Sequence, residues 1–379
     1  MFSEKDRQFA ADFLERVAKK VSIMAPQIGG NFPYTTNGEW HPKGENADIS
    51  SWTNAFWPGM LWLMYIKTGD EMYKKFANEC EDKLDRALDE FWGLHHDVGF
   101  MWSLSAVANY KLTENDRSRD RALHAATLLA GRFNPAAKFI RAWNYGTTYT
   151  NSAIIDCMMN LPLLTWAEKY SKEPDPRYSH IARAHADTVL RTFIRPDGSV
   201  HHIIAYDRDT GDVVDRIGGQ GYDPDSSWSR GQAWAIYGYA MAYLNLGDER
   251  YLDAAKKVAH YFIANLEPGK LPLMDFRAPQ EPVYYDSSAA STAVCGLIEI
   301  AKAVPEFEKP MYERAAMNLL RVLDENCNYD ENELVLLENG SGAYHAETSI
   351  HRPFIFGDYY LLESLMKLHG NDGRFTIHN

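Results

Sequence analysis

Cysteine is scarce in this chain, and its few copies stand apart. Cys80, Cys157, Cys295 and Cys327 show no CxxC spacing, which argues against disulfide staples and a thiolate zinc site; reduced thiols are expected. Long apolar runs are also missing. No window of about 18 uninterrupted apolar residues occurs, so nothing reads as a membrane span. Positive charge is in deficit: 39 Lys and Arg against 52 Asp and Glu give a net charge of −13. That balance repels phosphate backbones and anionic lipid, so neither nucleic acid nor a membrane surface is an expected partner. A local group of Arg can still hold a small anion at short range. The opening stretch, MFSEKDRQFAADFLERVAKK, is charged from Glu4 onward and lacks the apolar core of a secretion signal. It reads as an amphipathic helix, and a cytoplasmic protein is the expectation.

What remains is an ordinary globular composition, 45% hydrophobic and 24% charged over 379 residues, able to bury a large core. Two interleaved patterns organise it. In the first, a breaker is followed by a Tyr four residues before an Ala: Tyr73/Ala77, Tyr178/Ala182, Tyr251/Ala255 and Tyr312/Ala316. These mark equivalent helix starts in a larger repeated unit. Amphipathic, charged helices are expected at about 4–25, 70–91, 116–133, 176–195, 248–265 and 308–325.

The second pattern is six segments that are apolar nearly all round: SWTNAFWPGMLWLMYIKTG, GFMWSLSAVANYKL, TNSAIIDCMMNLPLLTWAEKY, SSWSRGQAWAIYGYAMAYLNLG, DSSAASTAVCGLIEIAKAV and RPFIFGDYYLLESLMKLHG. A helix hydrophobic on every side is buried on every side. Six buried helices alternating with six surface ones predict a closed ring of helical hairpins, an all-α (α/α)6 toroid with a funnel at one end. No linker interrupts residues 1–379, so one domain is expected. The competing arrangement is two helical bundles fused without a visible boundary. Short β inserts are expected at SVHHIIAYDRDTGDVV and ENELVLLENGSGAY, where turn signals follow apolar residues.

Among candidate functional residues, Asp156 stands out because it lies inside the apolar run NSAIIDCMMNLPLL. Desolvation there raises a carboxyl pKa and suits a general acid. Placement in the first two turns of a helix works the other way, and the plain alternative is an Asp that satisfies helix-end N–H groups. Asp97, in LHHDVGFMWSLSA, is either a helix cap or a carboxylate partner of Asp156 at the funnel mouth. His95, His96 and Asp97 adjoin, but no HxxxH or HExxH spacing supports a metal.

The segment GGQGYDPDSSWSRGQAWAIYGYA gathers Gln220, Trp228, Arg230, Gln232 and Trp234. Aromatic faces and an Arg fork suit a sugar acid; the alternative is a core Trp234 and a structural ion pair at Arg230. GGQG lacks the spacing and strand context of a phosphate loop. Trp52, Phe56 and Trp57 cluster at the first buried helix, with Trp143 in FIRAWNYG. His202, Tyr344 and His345 lie on the expected inserts and become site residues if those inserts fold over the funnel. No GxSxG serine elbow occurs, and the apolar run around Cys157 suppresses its thiolate.

The strings SWTNAFWPGMLWL, HHDVGFMWSLSA, IIDCMMNLPLLTWA, SSWSRGQAWAIYG, QEPVYYDSSAAS and FIFGDYYLLESLMKL, in this order, resemble glycoside hydrolase family 88, the unsaturated glucuronyl hydrolases, over about residues 30–368. The resemblance implies an (α/α)6 barrel. It implies an enzyme acting on the 4,5-unsaturated uronic acid that lyases leave at the non-reducing end of oligosaccharides of glycosaminoglycan type. Such enzymes hydrate the C4=C5 vinyl ether, and the resulting hemiketal opens and expels the remaining sugar.

By resemblance Asp156 matches the family's acid/base and Asp97 its second essential carboxylate. His202, Gln220, Arg230 and Trp234 match residues lining the unsaturated sugar's site, with Trp52, Trp143 and Tyr344 as aromatic walls. No metal or organic cofactor is implied. Some members that prefer sulfated fragments carry a tail motif with Ser and Lys; here the tail reads HGNDGRFTIHN, which does not support that preference, although Arg374 remains a candidate anion contact. The neighbouring alternative is an unsaturated rhamnogalacturonyl hydrolase, and the alternative of another class is a non-hydrolytic toroid, either an isomerase or a sugar-binding scaffold. No sequence feature specifies an oligomeric state.

Overall fold

The computed structural model describes residues 2–34, 48–144 and 150–369. The chain runs from α1 (Glu4–Ile28) through a 3₁₀ turn (Trp52–Ala55) into α2 (Phe56–Thr68) and α3 (Glu71–Glu90). Next come α4 (Val98–Trp102) and α5 (Ala108–Thr113), joined into one rod by a π-helical turn (Ser103–Val107), and then α6 (Asp116–Ala130). A 3₁₀ turn (Ile155–Met159) leads into α7 (Leu161–Tyr170), followed by α8 (Arg177–Thr192), α9 (Ser229–Leu246) and α10 (Glu249–Ala264). The helical series closes with α11 (Ser287–Ala303), α12 (Lys309–Glu325) and α13 (Ile355–Leu368).

These helices form the expected toroid. The outer ring is α1, α3, α6, α8, α10 and α12, each showing one buried face and one charged face. The inner ring is α2, the α4–α5 rod, α7, α9, α11 and α13. Every residue from Ser229 to Ala242 in α9 and from Ile355 to Lys367 in α13 is buried. That is the fate of a helix apolar all round. Inner neighbours pack in sequence, and α13 returns to α2 to close the ring. One hydrophobic core cluster extends from Ala10 to Met366.

Connection length polarises the barrel. Inner-to-outer links are short, as at Gly69–Asp70 and Gly247–Asp248, where a left-handed Gly ends one helix and an Asp side chain caps the next. Outer-to-inner links are long. Their described residues lie at the N-terminal ends of the inner helices, so irregular chain and the positive helix ends collect at one mouth.

Two of these links carry strands. β1 (Phe133–Asn134) and β2 (Phe139–Ile140) form a small hairpin that the sequence reading did not anticipate. β3 (Ser152–Ile154), β4 (Ile203–Tyr206) and β5 (Val213–Ile217) form a three-stranded antiparallel sheet in that order, which realises the first expected insert. The second expected insert corrects the sequence reading. It forms no strand, only isolated bridges such as Cys327 with Leu337 and Gly340 with Arg352. Side chains bind it down instead: buried Asp358 accepts the Leu337 N–H at 2.9 Å, and Lys20 donates to the Asp330 and Glu333 carbonyls.

The Tyr/Ala repeat proves to be a seam of the outer ring. All eight residues are buried, none above 3% exposed. Three of the hydroxyls reach back to the preceding outer helix. Tyr178 meets Thr127 of α6, Tyr251 donates to Asp187 of α8, and Tyr312 meets His260 of α10, each at 2.9 Å. Tyr→Phe at any one position should cost about 1 kcal/mol, and the triple variant about 3, since the three bonds sit at separate seams. Chemical denaturation measures this; a triple variant as stable as the parent would remove the seam's role.

Candidate active site

A cavity of about 200 Å³ opens among the long connections at the mouth. It is smaller than the roughly 300–1,000 Å³ of drug-sized ligand sites, so it suits one sugar ring and not a chain. Trp52, on the turn before α2, forms one wall and packs 5.0 Å from Phe356 between ring centroids. Trp143 forms another and meets His96 edge-on. Below them Phe56, Phe100, Trp234 and Tyr360 touch in a closed circuit with centroid spacings of 5.4–5.8 Å. These four rings are at most 3% exposed. Phe56 and Phe100 of this circuit pack in turn against Trp52 and Phe356, so an aromatic layer backs that side of the cavity.

Asp97 and Asp156 both face the cavity. Asp156 sits in the first turn of a short 3₁₀ helix (Ile155–Met159) that runs directly into α7. Its side chain caps nothing. Burial raises its pKa to about 7, opposed by the charge of Arg230 and by its own backbone. Asp97 occupies the N-cap of α4 yet makes no cap bond either. Burial pushes its pKa well up and the Asp156 charge adds to this, while Asn160 and Arg132 pull it down. Neither carboxyl is spent on helix ends.

Histidines surround the pair. His202 Nε2 stands 3.7 Å from Asp156 Oδ1, and both atoms are buried without a hydrogen-bond partner. Burial lowers His202 to about 3, so its ring is neutral. Its Nδ1 lies 3.0 Å from both the Gly218 carbonyl and the Gln220 N–H. Gly219, at φ +60°, permits this approach, because a Cβ there would lie 2.3 Å from His202 Nδ1. His95 Nδ1 lies 3.3 Å from Asp97 Oδ2 and His96 Nε2 3.5 Å from Oδ1. One ligand atom from each of these three residues falls within 4.8 Å of the others, so together they could hold a cation. Burial keeps both imidazoles neutral at neutral pH, with His95 lowered to about 4 and His96 lowered well below its usual value.

Arg230 satisfies both readings of it. It is 1% exposed and donates to Asp286 at 2.5 Å, to Ser288, and to the Ser341 and Gly342 carbonyls. It is thus a structural ion pair that also lines the cavity. Gln220 lines it too and donates to the Gly342 carbonyl at 2.8 Å. Trp234 takes the core alternative, in the aromatic floor and not among the lining residues. Tyr344 stands apart from the lining, packed edge-on against Tyr222, Tyr284 and His345. Arg374 falls outside the described residues.

Sequence reasoning missed Tyr34, Phe354 and Phe356 on the lining, and it missed Asn160 and Asp286 behind it. The last two carried a usable signal, since each is a polar residue at the threshold of an all-apolar helix.

A six-hairpin barrel whose mouth holds two protonatable carboxyls between tryptophan walls has the layout of a carbohydrate-active hydrolase. Comparison agrees: the model of Glycosyl Hydrolase Family 88 matches residues 24–268. An unsaturated glucuronyl hydrolase of Bacillus sp. strain GL1 is 38% identical over 90% of this chain and 92% of its own. An unsaturated chondroitin disaccharide hydrolase of Streptococcus pyogenes serotype M1 is 36% identical over 97% and 95%. The solved structure of the unsaturated glucuronyl hydrolase from Streptococcus agalactiae superposes with a TM-score of 0.90 at 30% identity, covering 100% of this chain and 95% of that one. This chain belongs to glycosyl hydrolase family 88 and is a glycoside hydrolase.

The raised pKa of Asp156 makes the site a stability liability at high pH. The folded protein holds a proton that the unfolded chain releases near pH 4, so stability falls as pH rises from about 4 through 7. Asp156→Asn should therefore stabilise the protein at pH 8 by on the order of 2 kcal/mol and add little at pH 4. Thermal melts across that range test it; an unchanged pH slope would contradict a buried, protonated Asp156.

Proposed function

We propose that this enzyme hydrates the C4=C5 bond of a 4,5-unsaturated uronic acid at the non-reducing end of a lyase-generated oligosaccharide of glycosaminoglycan type. The observation that carries the reading is the pair of buried carboxyls with raised pKa values at the bottom of a one-ring pocket. The names of the relatives support the substrate class. We place the reaction in the cytoplasm, which suits four free cysteines. No helix among the described residues is long and apolar enough to cross a membrane.

In this mechanism Trp52 and Trp143 pack against the faces of the unsaturated ring. Its carboxylate meets the positive end of the barrel, where Arg230 and the inner-helix N-termini converge. Asp156 gives its proton to C4, and the electron pair of the double bond forms the new C–H bond. The cation left behind is shared by C5 and the ring oxygen. Water adds at C5, and Asp156 recovers a proton from it. A pKa of about 7 suits a group that must give and then take a proton near neutrality. The hemiketal opens by cleavage of the C5–O bond, and C1 then releases the remaining sugar. Asp97 stands on the same cavity as a second carboxyl, able to stabilise the developing cation when ionised. Neutral His202 faces Asp156 Oδ1 at 3.7 Å, close enough to meet that oxygen once the site closes on substrate. The chemistry consumes water and needs no redox partner.

The test uses an unsaturated chondroitin disaccharide. Its conjugated ultraviolet absorbance should disappear while mass spectrometry records addition of one water. An isomerase would conserve mass, and a scaffold would leave the absorbance intact. Asp156→Asn should reduce turnover at least a thousandfold, on the order expected for loss of a catalytic proton donor, while far-ultraviolet circular dichroism stays unchanged. Near-normal turnover by that variant would remove Asp156 from the reaction.

The pH profile has a stated sign as well. Protonated Asp156 is the active form, so kcat/KM should fall as pH rises through about 7. A profile still climbing at pH 8 contradicts the assignment.

A further inference from the structure

We propose that Asn160 is a positioning residue that sets the spacing and orientation of Asp97 and Asp156, a role that rests on the hydration reading above. Asn160 is fully buried at the junction between the 3₁₀ turn carrying Asp156 and the start of α7. Its Nδ2 donates to Asp97 Oδ1 and to the main-chain oxygen of Asp156, each at 3.3 Å. Its Oδ1 accepts the Phe100 N–H at 2.7 Å. That amide belongs to the first turn of α4, where a helix leaves N–H groups without intrahelical partners. Asp97 stands at the cap position and leaves this bond unmade, so a residue sixty positions away supplies it.

The consequence is a three-way bracket. One planar amide ties the α4 entrance, the Asp97 carboxyl and the Asp156 turn into a single body. Gly99 is shaped for this contact, because a Cβ there would lie 2.5 Å from Asn160 Cβ and Oδ1. The two carboxyls come from different hairpins, and each would otherwise move with its own helix. An N–H donor to Asp97 also favours its ionised form against the burial that opposes it. The other charged or titratable groups near the pair are His95, His96 and Arg132 beside Asp97, His202 and Arg230 beside Asp156, and Cys157 and Tyr360, which feel both.

Two variants separate positioning from mere packing. Asn160→Ala removes every bracket contact and should lower kcat about 10–100-fold, the scale of a misplaced catalytic group, with KM changed less than about threefold. Asn160→Asp keeps an oxygen for the Phe100 N–H, and when protonated its O–H can replace the donor to Asp97. This variant should approach parental activity near pH 5 and lose it at lower pH values than the parent does as pH rises.

A kcat within twofold of the parent for Asn160→Ala overturns the inference. If that variant does not fold, Asn160→Asp decides, and a pH profile superimposable on the parent's overturns it. Failure of the parent enzyme to consume the unsaturated disaccharide would instead count against the hydration reading, so the two failures are distinguishable.

Discussion

A carboxyl group drawn out of water holds its proton more tightly, and the mouth of this barrel carries two such groups. Asp97 and Asp156 stand over a floor of four packed aromatic rings, where an isolated anion would cost several kcal/mol. Burial therefore pushes both upward, and the Asp156 charge adds to the rise at Asp97. The charge of Arg230 opposes that rise at Asp156 by favouring its anion. The neighbouring imidazoles are neutral for the same reason of burial, so they add no positive charge beside the pair.

Arg230 also shows how one buried charge can be both scaffold and site. Its pairing with Asp286 joins the starts of α9 and α11, and its remaining donors pin the Ser341–Gly342 backbone beside Gln220. Asp286 is saturated in turn by Ser288 and the Ser341 N–H. A buried pair satisfied this thoroughly avoids the penalty of an uncompensated ion. The mouth of the barrel is thus braced by polar contacts where its walls are held by apolar ones.

Most of the fold was legible because helical periodicity survives translation into structure. All-apolar runs became inner helices, amphipathic runs became outer ones, and the recurring Tyr marked equivalent outer helices. What failed were local features decided by tertiary contacts. The 331–344 segment has the composition of a strand, yet it lacks a partner strand and is held by Lys20 and Asp358. Asp156 is helical as its neighbours suggested, but in a short 3₁₀ turn, since pairing of β3 with β4 extends the chain just before it. Within the site, Asp156, Asp97, Trp52, Trp143, Gln220 and Arg230 were named from the sequence and line one cavity. Trp234 was indistinguishable from them by residue type, and only packing assigns it to the floor. Asn160 was overlooked because its role depends on Phe100, which is remote in sequence and adjacent in space.

The aromatic circuit beneath the cavity makes it a cul-de-sac. A polymer cannot thread through such a pocket, and a cleaved ring must back out the way it came before another terminus can dock. Throughput then scales with the number of chain ends in solution, not with the length of the chains behind them. An enzyme so built works in the wake of depolymerisation, where ends are plentiful and chains are short.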